Sequence, residues 1–430
     1  MSFSEWREVR LGDVIEINKN SYSARDNWDY INYLDTGNIT ENRIEGIQYL
    51  DLKKDKIPSR AKRKVNANDI IYSTVRPNQR HYGIIKKPLK NMLVSTGFAV
   101  INGKNELADN NFLYWYLTQQ HIVELLHTIG EHSTSAYPSI KPSDIEGLDI
   151  MLPPLREQKV IAATLSALDD MIELNNQINK TLEEIAQAIF KSWFVDFEPF
   201  KDGEFQESEL GLIPKEWRVG TLDELINETL GGDWGKDVPQ GNYSEKVVCI
   251  RGADIPEIAK GRKGNPATRY ILKKNLEKKK LSGNEIIIEI SGGSPTQSTG
   301  RTILITKELI NSFKEPIICT NFCRTIRLKE DIYSSFVYSL LQYLYNEKIF
   351  FLYENGTTGI KNLDITTLFG QYQIVIPSKE VLAEYHSMYS EFLRYVYESG
   401  FECNKLSEIR DTLLPKLMSG EIRVPVEEVV

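Results

Sequence analysis

The chain has 430 residues, 41% of them hydrophobic and 26% charged, with a formal net charge of -8 at pH 7. This suits a soluble protein of two or three domains, and no apolar run approaches the roughly 20 residues of a membrane span. Residues 1–13 lack the apolar core of a signal peptide, so the expected location is the cytoplasm, with no membrane partner.

Four cysteines give no disulfide framework, and five scattered histidines add no zinc spacing. Cys319 and Cys323, in the strand-like run IICTNFCRTI, read as small apolar fillers. The acidic balance argues only superficially against a nucleic-acid partner, because a polyanion meets local charge rather than net charge. The basic residues are clustered. Lys53, Lys54, Lys56, Arg60, Lys62, Arg63 and Lys64 form one group, and Lys260, Arg262, Lys263, Arg269, Lys273, Lys274 and Lys278 to Lys280 form another.

In chain order, the first half opens on EWREVRLGD (5–13) and continues through INYLDTGNI (31–39), VNANDIIYSTVRP (65–77) and MLVSTGFAVI (92–101). An aromatic-rich helical stretch (111–126), a small-residue loop EHSTSAYPSI (131–140) and a last strand LDIMLPP (148–154) complete it. The second half repeats this order with EWRVGTLDE (216–224), VVCIRGADI (247–255), LSGNEIIIEISGG (281–293), IICTNFCRTI (317–326), a helical stretch (334–352), ENGTTGIKNL (354–363) and YQIVIP (372–377). A duplication with a period near 220 residues follows, far above the 20 to 50 of a solenoid.

After each half comes a long stretch almost free of Gly and Pro with apolar residues at steps of three and four. In the first, 152–197, the seam is Ile161, Leu165, Leu168, Ile172, Leu182, Ala186 and Ile189, interrupted by Asn175 and Asn179. In the second, 378–420, it is Tyr385, Met388, Phe392, Tyr395, Ser399, Glu402, Leu406, Ile409 and Leu413. Laid antiparallel with position numbers summing to about 578, Ile161 faces Leu417, Leu165 faces Leu413, Ile172 faces Leu406, Asn179 faces Ser399 and Ala186 faces Phe392. The polar layers then coincide, and a polar layer in such a seam fixes register at a cost in stability. The predicted fold is α+β: two homologous mixed α/β domains (1–152 and 205–377) separated by an antiparallel two-helix coiled coil from a central helix (153–204) and a distal one (378–430).

Catalytic signatures are missing. GGDWGKD (231–237) is one residue short of a phosphate loop and lacks the Ser or Thr after its lysine. NPAT (265–268) lacks the second proline and aromatic of an adenine-methyltransferase motif, and no Ser/His/Asp set or carboxylate pair stands out. What remains is binding hardware. The stretch 74–82 offers Arg76, Asn78, Gln79, Arg80 and His81, including the side chains that pair bidentately with guanine and adenine edges. Its counterpart, 291–301, is rich in glycine and hydroxyls, which allow close backbone approach and suit phosphates.

The run PPLREQKVIAATLSALDDMIELNNQINKTLEEIAQAIFKSWFVDFEP (153–199) resembles the central conserved region of the DNA-specificity subunit of type I restriction-modification enzymes. KLSEIRDTLLPKLMSGEIRV (405–424) resembles that family's distal conserved region, and STVRPNQRHYG (73–83) and EISGGSPTQSTGR (289–301) resemble loops of its target-recognition domains. The resemblance implies a non-catalytic subunit whose two domains each read half of a split site on double-stranded DNA while the helices hold them apart. It also implies docking of two methyltransferase subunits and, where a restriction arm is present, two restriction subunits. S-adenosylmethionine, ATP and Mg²⁺ belong on those partners and none on this chain.

Candidate DNA contacts are then Lys62, Arg63, Arg76, Asn78, Gln79, Arg80, His81, Thr134 and Tyr137 in the first half, and Arg262, Lys263, Ser294, Thr296, Gln297, Arg301, Thr357 and Lys361 in the second. Candidate spacer residues are Ile161, Leu165, Leu168, Ile172, Asn175, Asn179, Leu182, Phe392, Ser399, Leu406 and Leu413. The competing readings are a self-contained methyltransferase or nuclease fusion, against which the missing motifs count, and a DNA-mimic or anti-restriction scaffold, which salt-sensitive DNA binding would separate.

Overall fold

The computed structural model describes residues 6–104, 106–133, 137–292, 297–356 and 361–425. It is mixed helix and sheet and divides into two compact units: Met1–Asp170 with Leu406–Val430, and Met171–Lys405. Each unit therefore combines one globular domain with part of each long helix.

The duplication is visible strand by strand. In the first domain the opening strand Arg7–Arg10 pairs antiparallel with the last, Asp149–Leu152. In the second, Arg218–Thr221 pairs the same way with Gln373–Ile376. Each domain then has a sheet containing a parallel pair, Tyr30–Leu34 beside Met92–Ser95 and Tyr243–Ile250 beside Ile317–Cys319. A wholly antiparallel four-stranded sheet follows in both. It runs Ile15–Ile17, Phe98–Gly103, Asp69–Ser73, Tyr82–Ile85 in the first domain, and Ile226–Gly231, Cys323–Leu328, Ile286–Glu289, Thr302–Leu304 in the second. The central strands IIYS and IIIE are buried along their length, as suits their isoleucine-rich composition.

The runs MLVSTGFAVI and IICTNFCRTI, expected as one strand each, are two strands apiece, broken at residues 96–97 and 320–322 where the chain crosses from one sheet to the other. An apolar run carries no mark of such a crossing, because both of its halves are buried. The domains also differ. Strand Ala61–Lys64 lies along the outer edge of Met92–Ser95 in the first, whereas among the described residues Ile317–Cys319 has no such neighbour in the second.

The long helices are Leu155–Phe194 and Lys379–Met418, 40 residues and about 60 Å each. In the first unit, Ile161 and Leu165 pack into the domain core with Leu417 and Met418. Arg410 donates to Asp169 Oδ1 at 2.6 Å. In the second unit, Ala186, Phe190 and Phe194 join Leu382, Tyr385, Tyr389 and Leu393 in the core. There Cys403 Sγ donates to the Ile172 carbonyl at 3.6 Å, and Asn175 Nδ2 to Glu402 Oε2 at 2.9 Å. These pairs run antiparallel within three residues of the predicted register.

One part of the predicted seam does not hold. Tyr395 and Ile409 are 51% and 46% exposed, and the buried track runs instead through Tyr389, Leu393, Val396, Tyr397, Gly400 and Cys403. In each unit the globular domain packs on the helices as well, so the buried face is broader and rotated from the helix-to-helix line.

The polar layer is a docking notch. Asn179 Nδ2 donates to the Val396 carbonyl at 3.1 Å and reaches the Lys260 carbonyl at 3.5 Å. Asn404 Nδ2 donates to the Gly261 carbonyl at 3.1 Å, its Oδ1 accepts from Lys263 N at 3.3 Å, and Arg262 is bonded to Asn176 Oδ1. The turn at 260–263 thus sits on the helices at Gly400, where a Cβ would collide with the Lys260 carbonyl oxygen and lie 2.6 Å from Gly261 Cα. Gly261 itself has φ +72°, in the left-handed region. The amides at 176, 179 and 404 satisfy a turn that would otherwise bury its carbonyls.

Candidate nucleic-acid interface

In the first domain the loop after strand Asp69–Ser73 is built as a rigid platform. A 3-10 turn, Pro77–Gln79, is bracketed by Arg76 at φ 47° and Arg80 at φ 56°. Left-handed backbone at two arginines is sparsely populated and persists only where surroundings impose it. Here the imposition is visible. Arg76 N donates to the Pro138 carbonyl at 2.8 Å, Ile140 N to the Thr74 carbonyl at 2.9 Å, and Ser73 Oγ to the Val75 carbonyl at 2.8 Å.

The predicted side chains divide into two roles. Arg76, Asn78 and Gln79 are exposed, and the Arg76 guanidinium lies 5.6 Å from the ring centroid of Tyr137, itself 50% exposed. Arg80 and His81 instead brace the loop. Arg80 donates to Glu41 Oε1 at 3.0 Å and Tyr82 OH at 3.4 Å and is also bonded to Gln120. His81 Nδ1 lies 2.6 Å from the Ile39 carbonyl, which only accepts, so that nitrogen carries the proton. Lys62 is exposed, whereas Arg63 is half-buried with its Nε lacking a partner among the described residues.

In the second domain the loop is anchored by charge. Arg301 donates from Nε and Nη2 to the two oxygens of Glu289 at 2.9 and 2.6 Å, a bidentate pair on a carboxylate that is 4% exposed. Gly252 and Gly292 flank that carboxylate. A Cβ on Gly292 would lie 2.7 Å from Oε1, and one on Gly252 would overlap it. Gly300, at φ +123°, is held against the Phe350 ring.

A second buried carboxylate, Glu354, accepts from Thr299 N at 2.5 Å and Lys361 Nζ at 2.7 Å, while Lys361 also lies 4.8 Å from the Phe351 ring centroid. Gln297 Nε2 donates to Tyr345 OH at 3.3 Å. Ser291–Gly292, Lys361–Leu363 and Glu354–Asn355 form a small sheet that joins the two loops. Thr134, Ser294, Thr296 and Thr357 lie outside the described residues.

The second basic cluster does not form one patch. Arg262 and Lys263 lie against the long helices. Arg269 is 5% exposed, donates to the Trp234 carbonyl at 2.7 Å and lies 4.1 Å from that indole, which is 38% exposed. Lys279 donates to the Gly232 carbonyl at 2.7 Å. Lys260 lies in the 260–263 turn, and Lys273, Lys274, Lys278 and Lys280 belong to helix Lys273–Lys279 and its end.

The candidate spacer residues fall along the helices. Ile161, Leu165, Ile172, Asn175 and Asn179 are buried, and Leu168, Leu182, Phe392, Ser399, Leu406 and Leu413 are half-buried. All four cysteines are buried and outside any disulfide, and burial pushes the Cys319 thiol up to about 11, away from a nucleophile's range. Among the described residues no cluster of His, Cys, Asp and Glu could hold a metal ion, and no helix is long and apolar enough to cross a membrane.

The sequence does not mark Glu289 or Glu354, whose partners are set by the fold. Phe322 lies inside the run IICTNFCRTI, expected as a single strand, though aligning the halves sets it opposite Gly97.

Comparison with known proteins agrees with this architecture. The family model for the type I restriction modification DNA specificity domain matches residues 3–184 and again 214–393. The chain is 28% identical to the specificity subunit of the type I restriction enzyme HindI from Haemophilus influenzae, covering 97% of this chain and 100% of that one. It is 29% identical to the MjaIX specificity subunit from Methanocaldococcus jannaschii, over 93% of this chain and 85% of that one. Among solved structures, the S subunit of a type I restriction-modification system from M. genitalium matches over 96% of both chains with a TM-score of 0.56 and 17% identity, a likeness of fold.

Proposed function

The chain belongs to the type I restriction modification DNA specificity family, and from that premise we propose that it reads a split DNA site, half with each domain, as a non-catalytic subunit. The observation that carries this reading is the pair of stiffened loops at one position of a duplicated frame. One presents Arg76, Asn78 and Gln79; the other belongs to a glycine- and hydroxyl-rich stretch whose Thr299 and Arg301 are held by Glu354 and Glu289. Base edges are read by side chains held in place before binding, and two unlike loops on like frames give two unlike half-sites.

The long helices set the gap between half-sites. Two modules multiply their specificities only when their spacing is fixed. Docking of methyltransferase subunits, with restriction subunits joining through them, is supported by the exposed apolar residues Met171, Leu174, Ile178 and Ile185 on the first long helix, 41 to 49% exposed. Purified with its methyltransferase subunits, the protein should protect a two-part site with an unspecified gap, with affinity falling steeply as salt rises. Lengthening the first helix between Asn175 and Asn179 should change the gap and leave the half-sites alone. Methylation of one continuous site, or altered half-sites after the insertion, would sink the reading.

A further inference from the structure

Gly97 and Phe322 occupy the same place in the two domains. Each lies in the tight turn where the chain crosses between sheets, and the carbonyl of each receives the backbone of the adjoining recognition loop. Thr74 N donates to the Gly97 carbonyl at 2.8 Å, and Ile290 N and Ser291 N donate to the Phe322 carbonyl at 2.8 and 3.2 Å. The Phe322 turn is further fixed because Phe322 N donates to Oγ1 of the buried Thr320 at 3.2 Å.

What the two domains place there differs in chemistry. On Gly97 a Cβ would fall on the Arg60 guanidinium, so that side chain fills the position, brought there by strand Ala61–Lys64. Thr96 N donates to the Arg60 carbonyl at 2.8 Å and holds it in place. Among the described residues the second domain has no counterpart of that strand, and the position carries a phenyl ring that is 51% exposed. About half of that ring stands in water on a braced backbone, where it adds little to the fold. Its exposure and rigidity suit a contact made on binding.

Resting on the function proposed above, we propose that this position determines specificity in both half-sites, Phe322 packing on a thymine 5-methyl group and Arg60 donating to a guanine edge. In the major groove the thymine methyl is the one apolar feature of a base pair, and the O6 and N7 of guanine are the acceptors a guanidinium matches.

The experiment selects DNA from a random pool with the full chain purified with its methyltransferase subunits, as wild type, Phe322→Ala, Phe322→Leu and Arg60→Ala. Wild type should return a two-part motif. Phe322→Ala should lower the preference for one thymine in one half-site roughly four- to tenfold, Phe322→Leu should retain most of it, and Arg60→Ala should relax a guanine in the other half-site only. Uracil in place of that thymine removes just the methyl group. It should weaken wild type by a similar factor and leave Phe322→Ala indifferent. A two-part motif altered neither by Phe322→Ala nor by uracil overturns this inference and leaves the proposed function standing; no two-part motif from wild type overturns both.

Discussion

Gly400→Ala sets two opposing effects against each other at the helix notch. In a helix interior alanine is favoured over glycine by about 1 kcal/mol, so a helix free of contacts would gain stability. At this position the added methyl would meet the Lys260 carbonyl oxygen and lie 2.6 and 2.7 Å from Gly261 Cα and C, all backbone atoms. Restoring ordinary contact near 3.4 Å requires Gly261 Cα, now at 2.6 Å, to retreat by roughly 0.8 Å and the Lys260 carbonyl oxygen, which starts closer, by more.

That retreat stretches the bonds from Asn404 to the Gly261 carbonyl, from Lys263 N to Asn404 and from Asn179 to the Lys260 carbonyl, now 3.1, 3.3 and 3.5 Å. Losing two such bonds costs about 2 kcal/mol, and overpacking adds about 1 to 3 kcal/mol. The clash wins, and the net expectation is a loss of about 2 to 4 kcal/mol in the second unit. Hydrogen exchange followed by mass spectrometry resolves local opening in a chain of several domains, where one global midpoint is ill-defined. Exchange should quicken at 258–264 and 396–404. Ser399→Ala, which adds no atom, serves as the control. Protection equal to or above wild type in Gly400→Ala would refute the notch, because propensity alone predicts that result.

Other outcomes follow from the same contacts. Glu289→Ala leaves the Arg301 guanidinium, 24% exposed, without its carboxylate and should cost about 3 kcal/mol or more, read as faster proteolysis of the 291–301 loop. Asn179→Leu should fall within about 1 kcal/mol of wild type, read from hydrogen exchange at 176–182 and 258–264. It gives up two donated bonds but also removes Asn179 Oδ1, a buried acceptor with no partner among the described residues. A loss above about 3 kcal/mol would show that the amide outweighs its orphaned oxygen.

His386, packed against the hydroxyls of Ser334 and Ser335, is held below its ordinary 6.5 by burial, with Asp331 opposing more weakly. A folded value below the unfolded one means the unfolded chain binds the extra proton. Its contribution is therefore present above pH 6.5 and lost as pH falls through the lowered value. Stability of the second unit should decline on acidification through that window, and His386→Asn should flatten the slope.

The order of elements, the duplication and the two long helices were legible from the chain because each leaves a local mark. Turn residues bound the strands, a three-four spacing marks the helices, and EWR recurs at the start of each domain. The antiparallel register was also legible, because an asparagine in an apolar seam can face few neighbours. Tertiary structure decided the rest. Tyr395 and Ile409 fit the spacing of a seam yet point to solvent, because the domain packing on the helix chooses which stripe is buried.

Arg76 and Arg80 are four residues apart in one loop. Only the fold separates an exposed guanidinium from one spent on Glu41, Tyr82 and Gln120. A charge in a sequence states what a side chain can bind, and its neighbours in space decide whether that capacity is already used. The same holds for Gly97 and Phe322. Their difference in the sequence becomes a difference in the proposed recognition chemistry only because the strand after Arg60 is present in one domain and, among the described residues, has no counterpart in the other.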